Sequence, residues 1–257
     1  MPATTERNQY DSKFYRYIES GSIRSAKCVV PLILRELSPS TVLDVGCGTG
    51  AWLAEYRNLG ISDILGVDGD YVRRDLLHIP VDRFQSIDVA EDFDLESTFD
   101  LVECLEVGEH VPSSASATLV ANLTKHGDRV LFSAGTPGQG GVNHINEQSF
   151  EFWRHLFAAH GYKPFDLFRP RLRKAAAVES WYRRNMILYV RESAISSLPA
   201  VALATAIPDN ARIPDLGSIA FRIRSLALSP LPVNWVSKLA RTKHSVLLAY
   251  RKRGTAK

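Results

Sequence analysis

Apolar residues recur at helical spacing through residues 10–37, YDSKFYRYIESGSIRSAKCVVPLILREL. Phe14, Tyr17 and Ile18 mark one helix, and Val29, Val30, Ile33, Leu34 and Leu37 a second, with Gly21 as the break between them. The aromatic first piece suits either a lid over a site or a helix packed on a sheet edge. From residue 41 the pattern changes to short apolar runs that stop at Gly or Asp and alternate with helix-spaced segments. Strands are predicted at 41–45, at 62–68 ending in Asp68, at 83–88 ending in Asp88, and at 99–107, 128–134, 162–168 and 185–192. Helices fall on AWLAEYRNLG, on 113–126, and on the segment with Phe150, Trp153, Leu156 and Phe157 on one face, which Gly161 closes. Seven strands alternating with helices and finishing in a strand pair predict an α/β, Rossmann-like seven-stranded sheet rather than a six-stranded parallel one.

After Ser193 the texture differs. Pro199, Pro208, Pro214, Pro230 and Pro232 divide residues 193–235 into short apolar pieces, and NWVSKLARTKHSVLLAYRKRG reads as a basic amphipathic helix. Three parts are expected: an N-terminal helical segment at 1–40, the sheet domain at 41–192, and a Pro-interrupted basic extension at 193–257. Charge follows the same division. Residues 1–191 hold 21 Lys/Arg against 25 Asp/Glu, whereas 192–257 hold 10 against 3.

The acidic balance of the main part argues against a wide nucleic-acid face. The basic tail suits a membrane surface or an acidic partner. No apolar run reaches about 18 residues and the polar start shows no secretory signal, so a cytoplasmic location is expected. Cys28, Cys47 and Cys104 are scattered without CxxC spacing, against a disulfide framework or a structural zinc site.

Candidate chemistry starts at TVLDVGCGTG, residues 41–50, where the first strand stops at Gly46, Gly48 and Gly50. Such glycines permit a tight turn and close approach of backbone to a ligand, and leave amides near the next helix free to bond it. Asp44, just before them, would repel a pyrophosphate and attract an ammonium group. The run resembles the E/DxGxGxG signature of class I S-adenosylmethionine-dependent methyltransferases. That resemblance implies Asp44, Gly46, Gly48 and Gly50 at the methionine part of the cofactor. Asp68, about twenty residues on, is placed for the ribose hydroxyls and Asp88 for the adenine amino group.

Acceptor-side residues cluster in LEVGEHVP, just past the fourth strand: Glu106, Glu109 and His110. His110 can act as a general base on an acceptor hydroxyl. Alternatively Glu106, Glu109 and His110 join His144 in holding a divalent cation; this ExxEH run resembles the metal motif of small-RNA 2′-O-methyltransferases and some quinone-precursor O-methyltransferases. A third reading has them only ordering the loop. SAGTPGQGGVNHINEQ, 133–148, is a shaped glycine-rich loop that brings Asn143, His144, Asn146, Glu147 and Gln148 to the same edge. His144 is the candidate second base or ligand, and Asn146 or Glu147 the cap of the helix after it. Arg169, Arg171, Trp181, Tyr182, Arg183 and Arg184 could grip a sugar or an anion, or form a solvated face.

Together FYRYIESGSIRSA, LDVGCGTGAWL, LGVDGDYV, CLEVGEHV, FSAGTPGQGG, NHINEQ and WYRRN resemble an uncharacterised bacterial family of class I methyltransferases, over about residues 10–191. The chain departs from that pattern at Gly108, where the family tends to have Ala, at Ser149–Phe150 in place of Trp-Pro, and at Arg184 in place of Gln. The resemblance implies the seven-stranded methyltransferase sheet and S-adenosylmethionine as cofactor. The expected activity is O-methylation of a small polar acceptor such as a sugar hydroxyl, with His110 or His144 as base. The rivals are a non-catalytic binding or assembly protein that keeps the fold, and a metal-assisted RNA 2′-O-methyltransferase.

Overall fold

The computed structural model describes residues 12–228. The first element is one continuous helix, α1 (Ser12–Leu37), with Pro31 inside it. Gly21 does not break it. The Ser25 hydroxyl bonds the Gly21 carbonyl at 2.8 Å, and a Cβ at Gly21 would lie 2.8 Å from Glu179 Oε1, so the glycine serves a close helix contact. Val29, Val30 and Ile33 are fully buried. The side chains of Phe14, Tyr17 and Ile18, which carried the lid reading, lie outside what is described.

The sheet has seven strands: β1 (Thr41–Val45), β2 (Asp63–Asp68), β3 (Phe84–Ser86), β4 (Leu101–Leu105), β5 (Arg129–Ser133), β6 (Tyr162–Phe165) and β7 (Ile187–Arg191). Their order is β3-β2-β1-β4-β5-β7-β6, parallel except that β7 runs antiparallel to both neighbours. The expected α/β fold and its terminal strand pair are therefore present. Chain order reverses between β1 and β4, and in open α/β sheets ligands lie beyond the carboxyl ends of strands at that switch. The central parallel strands β1 and β4 are buried on both faces, which explains their nearly continuous apolar runs.

Helices α2 (Ala51–Asn58), α3 (Ser116–His126), α4 (Phe150–Ala159), α5 (Arg169–Leu172) and α6 (Ser180–Asn185) cover the sheet. Two aliphatic-aromatic cores result, one containing Ile33, Leu53 and Tyr56, the other Val102, Leu123 and Phe157. Gly161, at φ +75°, follows α4 in the left-handed conformation that ends a helix, its amide bonding Ala158. The cap at the other end of α4 is Ser149, whose hydroxyl accepts from the Phe152 amide, rather than Asn146 or Glu147.

The change of texture at residue 193 does not coincide with a break in packing. Leu198, Ala202 and Ile213 are buried, and α7 (Ala200–Leu203) leads to a bridge between Ala206 and Phe165. Arg154 donates to the carbonyls of Pro208 and Ala211, and Arg169 to that of Pro214. One further helix follows, α8 (Ile219–Leu228). The basic stretch NWVSKLARTKHSVLLAYRKRG lies outside the described residues. Among those described, no helix is long and apolar enough to cross a membrane.

Candidate active site

Gly46, Gly48 and Gly50 all have positive φ, +82°, +54° and +79°. At Gly46 a Cβ would also meet Val107 Cγ2 at 2.4 Å, whereas at Gly48 it would enter open space. The loop's amides are less free than the sequence suggested. Gly46 and Cys47 donate to the Val67 carbonyl, Gly50 to that of Cys47, and Gly48 to Asp68 Oδ2 at 2.7 Å. The glycines therefore supply a bare surface more than a row of open donors.

Asp44 and Asp68 stand at the ends of neighbouring strands, 4 and 5 % exposed. Asp68 also accepts from the Gly69 amide at 2.7 Å and from the Tyr71 hydroxyl. Glu103 is a further carboxyl group at this edge, a charged residue inside an otherwise apolar strand that no motif marks. It pairs with Asp44 across β1 and β4, is fully buried, and accepts from the Tyr56 hydroxyl, while its Oε2 has no partner. Burial pushes Glu103 up to about 8, tempered by the Tyr56 bond. Asp44 is raised well above the carboxylate range by burial, then by Glu103 and Asp68. Three carboxyl groups crowded at the ends of neighbouring strands, one of them on the Gly48 amide, fit a ligand that brings positive charge, and S-adenosylmethionine carries an ammonium and a sulfonium.

Asp88 does not join them. The third strand ends at Ser86, and Asp88 is exposed beyond it, its Oδ1 accepting from the Ala90 amide at 3.0 Å. Cys47 is buried with its thiol pushed up by burial and by Asp44, which makes it a poor nucleophile.

On the other side of the switch, the turn after β4 puts Glu106 at φ +58° and the facing loop puts Asn143 at φ +60°. Two non-glycine residues in the left-handed region at one site mark backbone held by its surroundings. The two segments are tied together: the amides of Ile145 and Asn146 donate to the Glu109 carbonyl, and Asn146 Nδ2 donates to Gly108 O at 3.0 Å and Ser116 Oγ at 2.9 Å. Glu147 shapes the loop from within. Its carboxylate accepts from Gly138 N at 2.9 Å, Gly140 N at 2.6 Å and His144 Nδ1 at 2.7 Å.

The result is a compact donor set. One ligand-capable atom each from Glu109, His110 and His144 lies within 4.8 Å of the others. Glu109 is wholly buried and neither carboxylate oxygen has a hydrogen-bond partner. His144 Nε2 points toward it at 3.9 Å, and His110 Nδ1 lies 3.2 Å from the Asn143 carbonyl, which leaves its other nitrogen for the site. His110 is exposed, its ring edge-on to that of His144 at 5.1 Å between centroids. Burial opposes charge on His144, but Glu147, Glu109 and Glu106 outweigh it and raise the ring. Burial raises Glu109.

Glu106, expected as a fourth ligand, falls outside this set. It takes Asn185 Nδ2 at 3.1 Å and Gln139 Nε2 at 3.4 Å, and burial with Glu109 pushes it up to about 8. Most of the Arg and aromatic group is structural. Arg169 is fully buried on Asp166, Arg171 pairs with Glu36 at 2.8 Å, Tyr182 bonds Ser22, and Arg184 lies 3.8 Å over the Phe221 ring.

The three departures from the family pattern also have places here. A Cβ at Gly108 would lie 2.8 Å from the Trp153 ring. Ser149 caps α4, and Phe150 lies under Arg169 at 5.0 Å.

Comparison with known proteins agrees with this frame. The methyltransferase domain family matches residues 23–171. A ubiquinone biosynthesis O-methyltransferase of Alkalilimnicola ehrlichii is 40% identical over 100 residues, 36% of this chain and 40% of its own length. One from Neisseria meningitidis is 30% identical over 130 residues, 45% of this chain and 55% of its own. The chain thus spans about two fifths to just over half the length of these curated relatives. Among solved structures, the sugar N-methyltransferase KedS8 of a Streptoalloteichus species is similar at TM-score 0.54 and 19% identity, over 74% of this chain and 98% of that one. The amino pentose methyltransferase CalS10 of Micromonospora echinaspora, with S-adenosylmethionine bound, is similar at TM-score 0.54 and 18% identity, over 73% and 100%. With a family match over more than half its length, and the seven-stranded sheet that such enzymes share, the chain belongs to the methyltransferase domain family.

Proposed function

We propose that this methyltransferase uses S-adenosylmethionine to methylate an oxygen of a small polar acceptor, with a divalent cation held by Glu109, His110 and His144. The observation that carries the metal reading is Glu109, a buried carboxylate without a hydrogen-bond partner that faces His144 Nε2 at 3.9 Å and has His110 beside it. Such a group costs several kcal/mol unless a cation or proton satisfies it. His144 fits the ligand role because Glu147 holds its Nδ1, the arrangement that fixes the tautomer of metal-ligating histidines. When bound, the cation would lower the pKa of an acceptor hydroxyl and orient it.

The chain's own residues supply the rest. Asp44 and Asp68 would hold the ammonium and ribose ends of the cofactor, and the Gly46 to Gly50 loop would let it approach. Glu106, Gln139 and Asn185 form a hydrogen-bonded wall on the acceptor side. Because methyl transfer is an in-line displacement, holding the acceptor oxygen against the methyl carbon is the main contribution of these contacts. The resemblance to ubiquinone biosynthesis O-methyltransferases supports oxygen as the atom methylated, and a ring hydroxyl stands beside a sugar hydroxyl as the acceptor.

His110 as a metal-free general base is the second reading, favoured by an exposed ring whose other nitrogen is turned from Asn143. Calorimetric titration with S-adenosylhomocysteine, beside methyl-transfer assays on catechol and sugar acceptors with EDTA or added Mn²⁺, separates the readings. Transfer lost to EDTA, restored by Mn²⁺ and abolished by Glu109→Gln supports the metal. EDTA-resistant transfer that depends on His110 supports the base. No binding of S-adenosylhomocysteine would leave a non-catalytic protein with this fold.

A further inference from the structure

Helix α8 has two unlike sides. On one, Arg224 reaches the carbonyls of Gly138 and Gln139, Phe221 lies against Arg184 at 3.8 Å, and the Ser225 backbone abuts Gly138, where a Cβ would meet its oxygen at 2.3 Å. That side is docked on the acceptor loop, whose Gln139 bonds Glu106. On the other, Ile219, Ile223 and Leu226, spaced as one stripe, are 77, 64 and 75 % exposed. Exposed Arg222 borders the stripe.

We infer that α8 is an interfacial helix that docks the protein on an anionic lipid surface, its Ile219–Ile223–Leu226 stripe entering the headgroup boundary while the surrounding basic residues meet lipid phosphates.

Charge and area choose the occupant. Beyond Leu228 the remaining 29 residues hold seven Lys/Arg and no Asp/Glu, with Trp235 and Tyr250 among them. Basic residues that follow an apolar stripe along the sequence are the composition of a surface-bound amphipathic segment, and Trp and Tyr favour the same boundary. A stripe of three side chains offers far less than the ~800 Å² per partner of a standard protein interface, which weighs against a second copy. The docked side matters as well, because it fixes how the stripe is presented: Arg224 and Phe221 hold the helix to the catalytic domain, so a lipid surface would meet the helix whose inner side carries the Gly138–Gln139 loop.

The test is flotation of the full chain with vesicles of pure phosphatidylcholine and of phosphatidylcholine with about 30% phosphatidylglycerol. The protein is expected to float only with anionic vesicles and to be released by 0.5 M salt, where charge is screened within about 4 Å. Ile219→Gln with Ile223→Gln leaves the net charge unchanged and is expected to lower the bound fraction about tenfold, consistent with loss of two buried apolar side chains. The variant's S-adenosylhomocysteine titration should match the parent's, which shows that it folds. Equal flotation of variant and parent, or no flotation of the parent, would overturn the proposal. A parent dimer that the same variant converts to monomer in light scattering would overturn it in favour of self-association.

Discussion

Asp44 and Glu103 are register partners across β1 and β4, two buried carboxyl groups of which Glu103 accepts from the Tyr56 hydroxyl. Burial raises Glu103 to about 8 from an ordinary 4.5. A carboxyl group whose folded pKa is raised favours the fold most below its unfolded pKa, and that contribution is lost as pH rises through the folded value. Its share of stability is therefore full below about pH 4.5, falls between there and about pH 8, and is level above. Glu103→Gln should erase this component. Thermal melts of parent and variant are expected to agree near pH 5 and to diverge toward pH 8, where the variant is the more stable. Curves that stay parallel over that range would show Glu103 ionised throughout.

The two loop glycines separate folding from binding. Gly46→Ala forces a side chain onto Val107 at positive φ and should cost about 1–3 kcal/mol of stability, read by denaturant unfolding. Gly48→Ala meets nothing in the protein. Its backbone cost is about 1–2 kcal/mol, and its main effect should be weaker S-adenosylhomocysteine binding. Unchanged calorimetric affinity in Gly48→Ala would place the cofactor elsewhere.

Asp68 joins structure to binding, since its carboxylate receives the Gly48 and Gly69 amides. Asp68→Asn keeps an acceptor but removes the charge and one of the two acceptor oxygens. Affinity for S-adenosylhomocysteine is expected to fall at least tenfold by calorimetry, about 1.4 kcal/mol, with a smaller change in melting temperature. A variant that binds as well as the parent would remove Asp68 from the cofactor site.

Glu147 holds both the glycine loop and His144 Nδ1. Glu147→Gln should lower Mn²⁺ affinity 10–100-fold, as removal of an outer partner of a metal ligand does. Binding of S-adenosylhomocysteine should be preserved. Calorimetry with each ligand checks the pair, and Mn²⁺ affinity equal to the parent's would detach Glu147 from any metal role.

Gly108 and Trp153 form a size-matched contact. Gly108→Ala is expected to destabilise by about 1–3 kcal/mol because its Cβ strikes the indole. Adding Trp153→Phe, which trims the ring, should recover part of that loss in a double-mutant cycle. Strict additivity of the two would show that the indole does not oppose the added methyl.

Much of this protein could be read along the chain because its elements obey local rules. Apolar runs that stop at Gly or Asp foretold the strands, the spacing of Gly46, Gly48 and Gly50 foretold a tight turn, which the structure builds at positive φ, and Asp44 and Asp68 are both buried at the ends of neighbouring strands. Strand ends were less legible: the third stops at Ser86, so Asp88 lies exposed beyond it, apart from the buried carboxyl groups, with its Oδ1 on the Ala90 amide. Gly21 read as a break, yet it allows Glu179 to approach from 158 residues away, a reason that local spacing does not contain. Glu103 was hidden because a charged residue within a strand acquires meaning only from the strand beside it, here Asp44. The set of Glu109, His110 and His144 was announced by residue type, but tertiary structure decided its membership. It turned Glu106 toward Asn185 and Gln139 and left Glu109 buried without a hydrogen bond, facing His144. Backbone conformation and amphipathic period are properties of neighbouring residues, and sequence carries them directly. Which carboxylate is paired and which is left alone depends on burial and on groups brought in from distant strands and loops, and only the folded chain sets those.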